Sequence, residues 1–374
     1  MLSYIEISRA NLINNLYSFK KLLPEGVKIV SVIKANAYGH GLKEVAKILE
    51  NYVDYFQVDD IEELKELRSV SDKECFVFGY IAKEDLCDAI KLNGTIGITS
   101  IEQYTFLEET AKKLQRKVMV HICVDSALGR DGFLLKQLNQ FLSIINKSRF
   151  IEITGIYSHF ANIEDTPNFS HAKKQIKLYE RALKLFSKFG YKNLQKHISS
   201  TAVTLVYETK HHGNDLVRLG IGQYGIWPSE YLYAEYLSKS MKLEPVLRWV
   251  SHIAQIKELP KGSTIGYGLT YTTTKKTKIA VIPQGYSDGY DRKLSNIGEV
   301  LINGNFCRVL GRVSMNMMVV DVSHLKQVKI EDEVVLLGKQ GSNSITSEMI
   351  AEKAGTINYE VIARISPLLP RLSR

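Results

Sequence analysis

Along residues 27–220 the chain keeps repeating one unit: a short β-branched or aromatic run, a polar turn, then a stretch with apolar positions at helical spacing. The runs are VKIVSVI (27–33), VDYFQV (53–58), CFVF (75–78), TIGI (95–98), KVMVHICV (117–124), IEITGIYS (151–158), KHISS (196–200) and DLVRLG (215–220). Between them DIEELKELR, with Asp59 as its candidate cap, IEQYTFLEETAKKL, FLLKQLNQFLSII and QIKLYERALKLFSKF read as amphipathic helices. Eight alternating units predict an N-terminal (β/α)8 TIM-like barrel; an open doubly wound sheet accommodates eight equal parallel units less well.

The texture changes near residue 240. From LEPVLRWVSHIAQI (243–256) onward, KIAVIP, EVLI, FCRVLGRV, MMVVDV and EVVLLG follow one another without intervening helices, which predicts a mostly antiparallel C-terminal β domain. Asn303-Gly304 between EVLI and FCRV is a two-residue hairpin signal, because a type I′ turn needs φ > 0 at both positions. ITSEMIAEKAG reads as a helix capped by Thr346 and stopped by Gly355. YIEI and the helix SRANLINNLYSFKKLL, with Leu12, Leu16, Phe19 and Leu23 on one face, precede the barrel. The expected domains are 1–238 and 239–374, with residues 1–10 packing on the β domain.

Composition narrows the class. Of 374 residues 45% are apolar and 24% charged, with only 25 Gly and 8 Pro, which excludes collagen-like, coiled-coil and disordered chains. The net charge of +9 is spread over isolated pairs such as Lys20-Lys21 and Lys275-Lys276 without an aromatic ladder, so no nucleic-acid partner is expected. No run approaches the roughly 18–20 apolar residues of a membrane helix, and Glu6 interrupts the N-terminus, so the expected location is cytoplasmic, without membrane contact. Cys75, Cys87, Cys123 and Cys307 match no CxxC spacing and read as reduced core residues; no metal is expected.

In such a barrel, chemistry gathers where strands end. Lys34 closes the first run inside SVIKANAYGHG, where desolvation would push an amine below about 10.4 and suit it to Schiff-base formation, although a lone strand-end lysine also fits a snorkelling surface residue. Strand seven runs into Ser199-Ser200-Thr201 and strand eight into Arg218-Leu219-Gly220-Ile221-Gly222, the usual phosphate cradle of this fold. An aldehyde-trapping lysine and a phosphate cradle on one face point to pyridoxal 5′-phosphate.

SVIKANAYGHG resembles the cofactor-lysine signature of alanine racemases, and DSALGRDG (125–132), GIYSHFAN (155–162), LVRLGIGQYGI (216–226), IGYGLTYT (265–272), PQGYSDGY (283–290), GRVSMN (311–316) and GTINYEV (355–361) extend the resemblance over almost the whole chain. The resemblance implies a homodimer of barrel plus β domain, each active site completed by the partner's β domain. It implies that Lys34 bonds the cofactor, Tyr38 and Thr201 contact its phosphate with the Gly220 and Ile221 N–H groups, and Arg218 faces the pyridine nitrogen. It assigns Lys34 to the D-face and Tyr267 to the L-face of the substrate α-carbon, His159 as the link between Tyr267 and Arg218, Arg130 and the Met315 N–H to the substrate carboxylate, and Tyr286 to the substrate entrance. Asp288 reads as structural. An arginine cannot hand a full proton to the ring, which disfavours carbanion-based decarboxylation and suits proton exchange. A tyrosine acting near pH 7 needs about 1.4 kcal/mol of help for each unit below its usual 10. The implied function is interconversion of L- and D-alanine, supplying D-alanine for peptidoglycan. A serine or broad-spectrum amino-acid racemase is the alternative, and a non-enzymatic pyridoxal phosphate carrier is disfavoured by the second domain.

Four positions depart from the family pattern. Cys123 stands where many members carry a carbamylated lysine that orients the arginine at 130, so another group or a bound anion must orient Arg130; a protein carboxylate against its guanidinium would refute the anion version. Ser126-Ala127-Leu128 replaces Thr-Gly-Met, Asn316 stands where aspartate is usual, and Pro367 where many members place a phosphate-contacting tyrosine.

Overall fold

The computed structural model describes residues 1–145, 148–207, 214–237 and 241–374; the expected domain boundary at 238 lies outside the described residues. The chain divides into two compact units, one of Leu12–Ala35 and Val45–Glu244, the other of Met1–Asn11, Asn36–Glu44 and Pro245–Arg374.

The first unit is the barrel. Its strands are Lys28–Val32, Tyr55–Val58, Cys75–Val77, Gly94–Ile98, Val118–Cys123, Ile151–Tyr157, Gln195–His197 and Leu216–Leu219, one for each predicted run. Successive strands pair in parallel from the first to the seventh, and the eighth returns to the first with Arg218 opposite Val30. Seventh and eighth meet through the bridge Ser199–Val217, so the barrel is nearly closed. Strands such as YFQV and GTIGI are buried at every position because helices cover one face and lumen side chains the other. Tyr55, Phe76, Phe78 and Tyr157 form an aromatic column with successive ring centroids 5.0, 5.3 and 4.2 Å apart. Helix Ile61–Arg68 takes its cap from Asp60, whose carboxylate accepts from Glu63 N at 2.9 Å, and not from Asp59.

In the second unit Tyr4–Ile7 pairs antiparallel with Leu247–His252 and parallel with Arg371–Ser373. That sheet continues through Glu333–Gln340, Glu299–Ile302 and Asn305–Arg308. A second sheet joins Gln255–Leu259, Thr277–Ile282 and Met318–Asp321, all antiparallel. Asn303 and Gly304 have φ of 51° and 74° between the paired Ile302 and Asn305, the turn the dipeptide predicts. Thr346 caps Ser347–Ala354 and Gly355 ends it at φ 68°. Helix Asn358–Ala363 follows; at six residues it is too short for its period to show in the sequence. Among the described residues no helix is long and apolar enough to cross a membrane. All four cysteines are free, and Cys87 is half-buried while the others are buried.

Candidate active site

Lys34 lies just past the first barrel strand, and its Nζ donates to Asp59 Oδ1 at 3.1 Å. Beyond it the backbone turns left-handed: Ala35, Asn36, Ala37 and Tyr38 have φ of 52–53°. For non-glycine residues this costs about 1–2 kcal/mol each. Built-in partners hold the turn. Glu63 Oε1 accepts from Ala35 N at 2.5 Å, and Asn36 Oδ1 from Leu42 N at 2.9 Å. His40 Nδ1 faces the Ala37 and Tyr38 carbonyls at 3.1 and 3.0 Å, so that nitrogen carries the proton. Arg371 donates to Gly39 O at 3.0 Å. Position 39 must be glycine, since a Cβ there would lie 2.0 Å from Ile362 O.

Arg218, on the eighth strand, is buried. One terminal nitrogen donates to His197 Nδ1 at 2.6 Å and His197 O at 3.1 Å, the other to Ser158 O at 2.7 Å and His159 Nδ1 at 3.4 Å. These partners are imidazoles and carbonyls, with no carboxylate among them. A guanidinium only donates, so both facing imidazole nitrogens accept, and each ring carries its proton on Nε2. From there His197 donates to His121 Nδ1 at 2.8 Å. Burial first, and then the charges of Arg218, Arg130 and Lys34, lower His159 from 6.5 to about 3, so the imidazole is neutral.

Thr201 Oγ1 accepts from Gly220 N at 3.2 Å and Gly222 N at 3.4 Å, which leaves its hydroxyl proton for another acceptor. The Gly220 N–H, expected to face a phosphate, is therefore engaged by Thr201. Ile221 opens the short helix Ile221–Tyr224. A Cβ at Gly222 would lie 2.6 Å from Thr201 Cγ2 and 2.4 Å from the Phe19 ring.

Arg130 Nε donates to Asp131 Oδ1 at 2.9 Å. A protein carboxylate thus meets the guanidinium, which overturns the bound-anion reading of this position. Asp125 Oδ1 ties down the preceding loop by accepting from Leu128 N at 2.9 Å and Gly129 N at 3.1 Å. Burial pushes the Cys123 thiol up to about 12, a protonated and unreactive group.

The remaining candidates belong to the second unit. The Tyr38 ring lies 6.3 Å from that of Tyr359, a residue inside GTINYEV to which the sequence reading gave no role. Tyr359, and not position 367, is thus the tyrosine beside Tyr38; the motif carried the signal. Tyr267 is 72% exposed, between Gly266 and Gly268 at φ 74° and 72°. Tyr286 and Met315, 42% and 55% exposed, are brought together by Tyr286 N donating to Ser314 O at 3.1 Å and Ser287 N to Met315 O at 3.0 Å. Asn316 Nδ2 donates to Ser287 Oγ at 2.8 Å. Asp288 Oδ2 accepts from Gly285 N at 2.8 Å, a structural bond as read.

The family model described as "Alanine racemase, N-terminal domain" matches residues 7–228, and that described as "Alanine racemase, C-terminal domain" matches residues 246–373. An alanine racemase of Halothermothrix orenii is 37% identical over 373 residues, covering 99% of this chain and 96% of the relative. One from Leptospira interrogans is 34% identical over 378 residues, covering 99% and 95%. Among solved structures, alanine racemase of Clostridium difficile 630 superposes with a TM-score of 0.92 at 35% identity, covering 100% of this chain and 96% of that one. The Bacillus anthracis enzyme with bound L-Ala-P gives 0.91 at 31% identity, covering 100% and 95%.

Proposed function

The chain belongs to the alanine racemase family, and from that premise we propose that it interconverts L- and D-alanine with pyridoxal 5′-phosphate, as a cytoplasmic homodimer supplying D-alanine for peptidoglycan. The observation that carries this reading is the buried Arg218 guanidinium bonded to neutral groups alone. It offers a pyridine nitrogen a hydrogen bond without a transferable proton, the condition for proton exchange without further carbanion chemistry.

The barrel residues fit the cofactor. Lys34, Arg130 and Arg218 all act by their charge on His159, and Thr201 Oγ1, accepting from two amides, keeps its own proton to donate. This donor set suits an anionic, phosphate-bearing aldehyde. When bound, pyridoxal 5′-phosphate supplies the conjugated ring that draws electron density from the substrate α-carbon and acidifies its hydrogen. Lys34 would hold the cofactor, and Thr201, the Ile221 N–H and Tyr38 would face its phosphate. Gly220 acts at one remove, by fixing Thr201.

Arg130 takes the substrate carboxylate, its fork aimed by Asp131; the Met315 N–H adds a second donor, and Tyr286 lines the entrance. Lys34 moves the proton on the D-face, and the partner subunit's Tyr267 moves it on the L-face. His159 accepts from Arg218 at Nδ1, so its Nε2–H is the donor left to stabilise a phenolate. The exposure of Tyr267, Tyr286 and Met315 on one unit supports the dimer, because a phenol left in water gains nothing from such a donor. The test is incubation with L-alanine in deuterated water. α-Deuterium is expected in both enantiomers; label without D-alanine, or no label, overturns the assignment.

A further inference from the structure

The carboxylate beside Lys34 has no part in the scheme above. Asp59 follows the second barrel strand, and because helix Ile61–Arg68 is capped by Asp60, Asp59 is not spent there. Its main chain is pinned on both sides: its N–H donates to Glu63 Oε2 at 2.8 Å, and its carbonyl accepts from Gly79 N at 2.8 Å. A Cβ on residue 79 would lie 2.3 Å from Asp59 O and 3.0 Å from Asp59 Oδ2, so glycine at 79 is what allows the carboxylate its place. From there Oδ1 accepts from Lys34 Nζ at 3.1 Å.

We propose that Asp59 is a positioning residue for Lys34, holding the side chain as an ammonium until cofactor arrives. The inference rests on the reading of Lys34 as the cofactor-bearing lysine. The ammonium first releases one proton to water, which reaches the pair because both side chains are partly exposed. The neutral amine then adds to the aldehyde carbon, a carbon–nitrogen double bond forms, and the aldehyde oxygen leaves as water. Among the charged and titratable groups around this amine, Asp59 and Glu63, the latter bonded to Ala35 N, favour the ammonium. His159, on which the charges of Arg218, Arg130 and Lys34 all act, is neutral. Both partners are partly exposed, so removing the Asp59 charge has the reach of an exposed ion pair, up to roughly fivefold in how strongly the ammonium is held.

The experiment follows loading of the full-length apoprotein with pyridoxal 5′-phosphate by absorbance across neutral to alkaline pH, with borohydride trapping and peptide mass to locate the bond. Asp59→Asn is expected to load two- to fivefold faster below the midpoint of the pH profile, to match the parent above it, and to move the midpoint down by about half a unit. Asp59→Glu is expected to return it toward the parent. A merely structural role would lower thermal stability and leave the midpoint in place, and an unmoved midpoint in folded Asp59→Asn overturns the inference. If Asp59→Asn does not fold, Asp59→Ser carries the same test. Absence of label on Lys34 in the parent protein would instead defeat the reading of Lys34 itself.

Discussion

The barrel's strand ends and the loops of the second unit present their candidate groups in opposite ways. Arg218 is buried with both terminal nitrogens bonded, Thr201 is locked by two amides, and His159 is kept neutral by burial and the charges acting on it. Tyr267, Tyr286 and Met315 stand in solvent on turns whose backbone is fixed while their side chains project. Preorganised charge is worth most where water is absent, so the barrel groups would supply the electrostatic half of the proposed site. An exposed phenol acquires catalytic force only when something covers it. The two regions therefore differ in what a substitution should cost: stability and activity together in the barrel, activity alone in the loops.

The sharpest division is expected from Tyr267→Phe. Because the ring is exposed, stability should change by no more than about 0.5 kcal/mol. Cofactor absorbance should persist, whereas α-deuterium wash-in starting from L-alanine should fall by about 10²- to 10⁴-fold, the usual span for losing a general base. Wash-in from D-alanine, initiated by Lys34, should survive in part. Measuring the two directions separately checks this; unchanged exchange in both breaks the two-base arrangement and with it the division of labour between the units.

Acid should expose the barrel next. Burial first, and then the charge of Arg218, lowers His121 and His159 to about 3 and lowers His197 well below its ordinary 6.5. As pH falls through 6.5, the unfolded chain protonates these rings and the folded barrel does not. The unfolded state then binds more protons, and stability declines from pH 6.5 toward about 3, by up to about 1.4 kcal/mol per pH unit for each ring. In the second unit His40 is lowered to about 4 by burial and acts alone over a shorter window. Hydrogen exchange read separately in the two units between neutral pH and mild acid should show the barrel losing protection first. Equal loss would mean that the buried histidines do not set the difference.

How far the sequence reached follows the same line. Short β-branched or aromatic runs and helical stripes revealed all eight barrel strands, since short fully buried strands leave unbroken apolar runs between polar turns. The Asn303-Gly304 hairpin and the Thr346 cap were legible because turn and cap chemistry is local. Choosing Asp59 over Asp60 as a cap was not decidable from two adjacent aspartates; the difference lies in Gly79, which seats Asp59 against Lys34 from another strand end. Asp131 as the partner of Arg130 is a side-chain direction within a loop, which spacing does not encode. Tyr359 lay inside a quoted motif, yet its closeness to Tyr38 depends on chain segments more than 300 residues apart. The left-handed turn left no trace at all, because Ala-Asn-Ala-Tyr reads as ordinary helix or loop and its conformation is imposed by Glu63, His40 and Arg371.

That turn allows the smallest and most discriminating test, one in which the same substitution should change sign between two places. Ala35 is exposed at φ 52°, a conformation costing alanine about 1–2 kcal/mol and glycine nothing by sterics. Glycine surrenders about 0.5–1 kcal/mol of extra backbone entropy on folding, so Ala35→Gly should leave stability level or raise it by up to about 1 kcal/mol, and it keeps the N–H that Glu63 accepts. Ala234 is equally exposed but lies in the right-handed helix Glu230–Leu237, where glycine should cost about 1 kcal/mol. Urea unfolding of the two variants beside the parent gives the comparison directly. If both lose stability alike, Ala35 is not held left-handed in solution, and the strain just beyond Lys34 is not a property of this protein.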